Sequence, residues 1–219
     1  MVREPDCRMC PLWRTRTRVV KGRGVFPAKV FFIGEAPGID EDQRGEAFIG
    51  RSGVFLQRCI EQAGLTGDAW MENVVACLPL DEDLLPRPPE QDEWEPCKRK
   101  VYSDIARSKP RLIVTLGETA RRVFGDLMAH ETRAIVRYRW YNWFHLPHPA
   151  RVLREPEDGP LRTRWADGFM LITNWLKVGD GSTWKEPVRK KPEKKGPRRK
   201  IVQGRMLKRA LGRRKGRKG

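Results

Sequence analysis

Four carboxylates, Glu35, Asp40, Glu41 and Asp42, fall within eight positions directly after the apolar run "AKVFFIG" (Ala28 to Gly34). Carboxylates gathered at the mouth of a strand can hold water and favour a neighbouring positive charge. The plainer alternative is a solvated acidic turn. The gathering needs a reason, because the chain carries a net charge of +17.

A second group with chemistry is the cysteines. Cys7 and Cys10 form a C-x-x-C pair, "CRMC"; Cys77 and Cys97 stand far from it in sequence. Cys59 falls on the apolar face of an expected helix and reads as a core residue, since a free thiol behaves as a small buried hydrophobe. The other four suit tetrahedral zinc or a [4Fe–4S] cluster, and spacing alone does not separate the two. A thioredoxin-type role is disfavoured, because "CRMC" follows no strand.

These residues must be positioned by regular elements. "AKVFFIG" is a continuous apolar run closed by glycine, as a central parallel strand requires. "GVFLQRCIEQAG" (Gly53 to Gly64) places Phe55, Cys59 and Ala63 on one helical face. "ENVVACLP" (Glu72 to Pro79) reads as a second strand. Trp94, Cys97, Val101 and Ile105 mark a helix that Pro96 could open. "RLIVTLG" (Arg111 to Gly117) is a third strand, followed by the helix "ETARRVFG". A fourth strand is expected near Tyr141 to Leu146, and Trp165, Phe169, Ile172 and Leu176 mark a last helix. The alternation predicts an α/β three-layer sandwich around a mostly parallel four-stranded sheet. Ligands in such sheets bind at the carboxyl ends of the strands, where the acidic loop, Asn73 to Cys77, Gly117 and "HLPHP" fall.

The 219 residues allow one domain of ordinary size with an appendage. Residues 1–184 form the expected domain, nearly neutral overall. Lys185 to Gly219 carries 17 Lys and Arg against two Glu, with no aromatic residue. Such a segment cannot bury enough surface to order itself, so it is expected to be a disordered tail that binds a polyanion, most simply nucleic acid. No apolar run reaches the length of a membrane span, and the N-terminus has no signal-peptide core. An intracellular, cytoplasmic protein with reduced cysteines and no membrane partner is therefore expected.

Several stretches together resemble the family 4 uracil-DNA glycosylases. "GEAPGIDEDQRGEAFIGRSG" is similar to that family's motif A, and "HPARVLR" to its motif B. "NVVACLP" resembles the strand carrying a uracil-reading Asn and a cluster Cys. "RPPEQDEWEPC" and "KPRLIVTLGETA" resemble the approach to the fourth Cys and the segment after it, and "CRMCPL" the opening C-x-x-C-x-L. They occur in family order from about Cys7 to Leu176.

The resemblance implies excision of uracil from single- or double-stranded DNA, by a monomer, as a step of base-excision repair. It also implies a structural [4Fe–4S] cluster on Cys7, Cys10, Cys77 and Cys97. Gly34 and Ala36 would bring backbone amides to the base, Phe48 would offer an aromatic face, and Asn73 would pair with uracil at two points. His148 would donate to the carbonyl oxygen on which charge develops. Glu35, Glu41 and Asp42 would flank the sugar, whose transition state is cationic. Arg151, Val152 and Leu153 would fill the gap left in the duplex. His130 and His145 fall outside the motifs and read as solvated or structural.

The chain departs from the family pattern at several points. Ala47 stands where Pro is usual, and "LDEDLLPRP" replaces an N-R-x-P loop. Residues 131–143 are unusually basic and aromatic, and the tail is an addition. Ala36 stands where one branch has a catalytic Asp. With no His between Asn73 and Cys97, covalent trapping is not expected. Two other functions stay open: a catalytically weak DNA- or protein-binding module, and a glycosylase for another modified pyrimidine.

Overall fold

The computed structural model describes residues 6–124, 134–138 and 140–178. The expected tail, Trp184 and His130 lie outside them. Five strands and six helices follow a 3-10 turn, Pro11–Arg14, and the short strand β1 (Arg23–Gly24). The strands are β2 (Val30–Gly34), β3 (Ala69–Asn73), β4 (Leu112–Leu116), β5 (Val136–Tyr138) and β6 (Tyr141–Leu146). The helices are α1 (Ile39–Arg44), α2 (Arg51–Gln62), α3 (Gln91–Ser108), α4 (Glu118–Phe124), α5 (Pro149–Val152) and α6 (Pro160–Val178).

The sheet has six strands in the order β1-β3-β2-β4-β6-β5, not four. The central four, β3, β2, β4 and β6, are mutually parallel, and β1 and β5 add antiparallel edges. The edges are two and three residues long, too short to show a period in sequence. β2 shows why the centre was legible. Val30 and Phe32 pack into one apolar cluster with Leu56, Ile60, Phe169 and Ile172 of α2 and α6. Phe31 and Ile33 pack into the other with Val101, Ile105, Val123 and Phe124 of α3 and α4. Both faces of the sheet are covered, which makes the expected three layers.

Two boundaries and one helix face differ from expectation. β3 ends at Asn73, so Val74 to Leu78 is a buried loop, not strand. Its amides bond outward, Val74 N–H to Gly34 O (2.9 Å) and Val75 N–H to Glu35 O (3.3 Å). α3 starts at Gln91, with a reciprocal cap between Glu90 and Glu93, and carries Pro96 inside it. The fully buried stripe of α2 is Leu56 and Ile60; Phe55, Cys59 and Ala63 pack partly buried beside it. Among the described residues no helix is long and apolar enough to cross a membrane.

Candidate active site

β2 and β3 run in register, Gly34 beside Asn73, so both chains leave the sheet together at their carboxyl ends. A β-carbon on Gly34 would collide with the Asn73 side-chain oxygen and come within 2.6 Å of the Phe48 ring. The missing side chain lets an amide and an aromatic face share one spot. Phe48 itself has φ +58, uncommon for a bulky residue. Its backbone is pressed by α2 at Gly53, where a β-carbon would overlap the Phe48 carbonyl.

His148 arrives after β6 and caps α5. Its Nδ1 accepts from the Ala150 N–H at 3.2 Å. A backbone amide only donates, so Nδ1 is unprotonated and the proton of the neutral ring sits on Nε2. Burial pushes the His148 pKa below the ordinary value; the Glu35 carboxylate opposes this and Arg154 adds to it. The ring packs on Gly117, where a β-carbon would come within 2.9 Å of the His148 Cβ. His145 is half-buried, with Nδ1 3.1 Å from the Thr115 hydroxyl. Burial, aided by Arg121 and Arg164, pushes its pKa down to about 4. It fits the structural reading.

Phe48, Asn73 and His148 line one cleft of about 700 Å³. Of the expected site residues, Glu35, Ala36, Glu41, Phe48, Asn73, His148 and Leu153 border it. The three acids separate by what holds them. Glu41 is buried; its Oε1 accepts from Ile49 N–H (3.0 Å) and Gly50 N–H (2.8 Å), and its Oε2 from Gly38 N–H (3.1 Å). Asp42 does not border the cleft. Its carboxylate accepts from the Thr17 N–H at 2.9 and 3.1 Å, tying down the N-terminal segment. Among the described residues, the Glu35 carboxylate accepts no hydrogen bond. Much of the acidic gathering is thus a frame for the loops.

Val152 corrects another expectation. It is fully buried in the core, because α5 is anchored through it, so it does not face DNA. Arg151 is exposed, and Leu153, half-buried, reaches the cleft. Sequence reasoning missed the wall formed by Pro86, Arg87 and Pro88. Arg87 is gripped by the buried Glu93 through two bonds of 2.6 and 2.8 Å. The signal available was the proline-flanked Arg six positions before an acid on the α3 face.

On the other side of the Asn73–Leu78 segment, Cys7, Cys10, Cys77 and Cys97 line one small cavity with Ala76, Val19 and Pro96. Arg16 Nη1 lies 3.5 Å from Cys77 Sγ, and Lys100 Nζ 3.3 Å from Cys7 Sγ. A hydrogen bond with Cys97, then burial, raises the Cys10 pKa; burial raises that of Cys77 against the pull of Arg16. Four crowded thiols with cations at the rim fit a cationic centre that takes thiolates. Among the described residues, no three Cys, His, Asp or Glu side chains close on the position of a single ion. Cys59 lies elsewhere, accepting from Trp165 Nε1 at 3.1 Å.

The model of the uracil DNA glycosylase superfamily matches residues 22–168. The chain is 35% identical over 164 residues to a type-4 uracil-DNA glycosylase of Sulfurisphaera tokodaii, covering 69% of this chain and 73% of that protein. It is 34% identical over 183 residues to one of Saccharolobus solfataricus (78% and 82%) and 33% over 179 residues to one of Archaeoglobus fulgidus (76% and 86%). With its cleft at the carboxyl ends of a parallel sheet and these relatives along most of its length, the chain belongs to the uracil-DNA glycosylase superfamily.

Proposed function

We propose that the protein excises uracil from DNA by hydrolysing the N-glycosidic bond, leaving an abasic site for repair. The observation that carries this is the meeting of Asn73, Phe48 and a neutral His148 at one cleft. Asn73 offers a donor and an acceptor to the uracil edge, a pairing that cytosine cannot match. Phe48 supplies a face for the flipped base. As the C1′–N1 bond breaks, its electron pair goes to the base, and His148 Nε2–H donates to the oxygen where that charge collects. A water oxygen adds to C1′, and its proton passes to solvent or to the departing base. Glu35 is assigned to the sugar side, where its negative charge favours the cationic transition state. Glu41 positions the loops. Asp42 acts further out, through the N-terminal segment.

Cys7, Cys10, Cys77 and Cys97 are assigned to a [4Fe–4S] cluster. The support is the shared cavity, its two cations, and the resemblance to a cluster-bearing family. Four thiolates suit either zinc or a cluster, and it is the resemblance that favours the cluster. When bound, the cluster would supply a structural tie between the N-terminus, the Asn73–Leu78 segment and α3. Residues 1–184 are taken as the glycosylase domain and 185–219 as a phosphate-binding appendage, on the evidence of charge. The setting is intracellular DNA, acted on by a monomer.

The test is direct. Incubation with a uracil-containing oligonucleotide is expected to give an alkali-labile abasic product, and a thymine control none. An uncleaved uracil strand would reject the proposal.

A further inference from the structure

Leu84 and Leu85 are large apolar neighbours with 68% and 60% of their surface exposed. They sit at the tip of a hairpin built to hold them out. Leu80 and Pro86 pair as an antiparallel bridge. Asp81 N–H donates to Leu85 O (2.9 Å), and Leu84 N–H donates to Asp81 O (3.1 Å). The Asp81 carboxylate accepts from Asp83 N–H (3.0 Å) and Leu85 N–H (2.8 Å). Leu84 takes φ +60, a left-handed conformation that a leucine seldom adopts.

The base of the hairpin is equally fixed. Arg87 N–H donates to Pro79 O (3.1 Å), and Arg87 Nε donates to Leu80 O (3.0 Å). The same guanidinium is bound to the buried Glu93 of α3. Pro86, Arg87 and Pro88, which follow the tip directly, line the cleft. The two leucines are therefore carried on a short, braced turn whose base forms the cleft wall. Strained backbone that holds apolar side chains in water points to a partner that receives them.

We propose that the Leu84–Leu85 tip is a wedge that enters the base stack of duplex DNA beside the flipped nucleotide. The inference rests on the glycosylase reading of the cleft. A base leaving a duplex opens a gap with flat apolar walls, and inserted apolar side chains both fill it and hold the duplex bent. With Val152 buried, Leu153 is the large apolar side chain that α5 brings to the cleft. The hairpin supplies two more. A wedge repays the cost of unstacking, so it acts on duplex substrates. A uracil in a single strand, already unstacked, does not need it.

The experiment compares single-turnover excision on a U:A duplex and on the same strand alone. It uses the full chain, a Leu84→Gly/Leu85→Ser variant, and Asp81→Ala to loosen the turn. Glycine suits the left-handed position, so the first variant keeps the hairpin shape. The fluorescence of 2-aminopurine next to the uracil reports unstacking in the same duplex. The expected result is a fall of about tenfold or more on the duplex with the single-strand rate held within about twofold, since only the duplex has a stack to open. The fluorescence rise should shrink in step. Equal losses on both substrates, or none on the duplex, would overturn the proposal. If the full chain excised from neither substrate, the glycosylase reading would fail. The fluorescence would then decide the wedge: a rise dependent on the tip supports it, and one independent of the tip overturns it.

Discussion

The Asn73 side-chain oxygen occupies the space that a β-carbon on Gly34 would fill. Gly34→Ala must therefore push the amide, the Phe48 ring or the strand end out of place. Overpacking at such a site costs roughly 1–3 kcal/mol of stability. Single-turnover uracil excision is expected to fall at least about tenfold, since a hydrogen bond that strengthens as the base leaves would be misplaced. Release of an otherwise unchanged rate by the purified variant would place the base elsewhere.

The three acids should divide experimentally as they do structurally. Glu35→Gln is expected to reduce excision by about tenfold or more while leaving the melting temperature nearly unchanged. Asp42→Ala should do the reverse, costing roughly 1–3 kcal/mol by leaving the Thr17 amide without its acceptor, with little effect on the folded enzyme's rate. The assignment fails if Asp42→Ala proves the slower enzyme at equal stability.

Anaerobically purified protein is expected to be brown and to hold about four irons per chain. Cys77→Ala should lose iron and colour, and Cys59→Ala should retain both, since Cys59 bonds Trp165 away from the cavity. Colourless protein with stoichiometric zinc would rule the cluster out.

His145 gives a pH dependence with a definite sign. Its folded pKa is about 4, against an ordinary value of 6.5. Between the two the unfolded chain binds more protons than the folded one, so stability falls as pH drops through this window and is fully present above it. His148 is shifted in the same direction. Denaturant midpoints across the window should decline, and the decline should be shallower in His145→Gln. A slope identical in that variant would assign the pH dependence to other groups.

Removing residues 185–219 should flatten the dependence of log affinity on log salt, because fewer counterions are released. Saturated single-turnover excision should hardly change, as every residue assigned to the cleft precedes position 155. An unchanged salt slope would mean that the tail serves something other than DNA.

What could be read in advance followed burial. β2 and β4 are buried at every position, so their sequences read as apolar runs, interrupted in β4 only by the buried Thr115. The same logic misled at Val74 to Leu78: a buried loop is as apolar as a strand, and its pairing to Gly34 and Glu35 leaves no trace in composition. The resemblance pointed to Asn73, Phe48 and His148, and all three line one cleft. It could not rank Glu35, Glu41 and Asp42. An acid's role depends on which amides face it, and Thr17, Gly38, Ile49 and Gly50 are distributed along the chain. Val152 was misjudged because a four-residue helix must spend one of its side chains as an anchor.

The Glu41 carboxylate holds Gly38 with one oxygen and Ile49 and Gly50 with the other. Two stretches of the cleft wall therefore share a single fastener, and they cannot part without releasing either Gly38 or the Ile49–Gly50 pair from one buried carboxylate. The width of the pocket becomes one variable instead of two. A pyrimidine too bulky for it could not be admitted by flexing either loop alone. Broadening the range of bases by engineering would accordingly begin at this hinge pin, since trimming the side chains assigned to the base leaves both walls clamped.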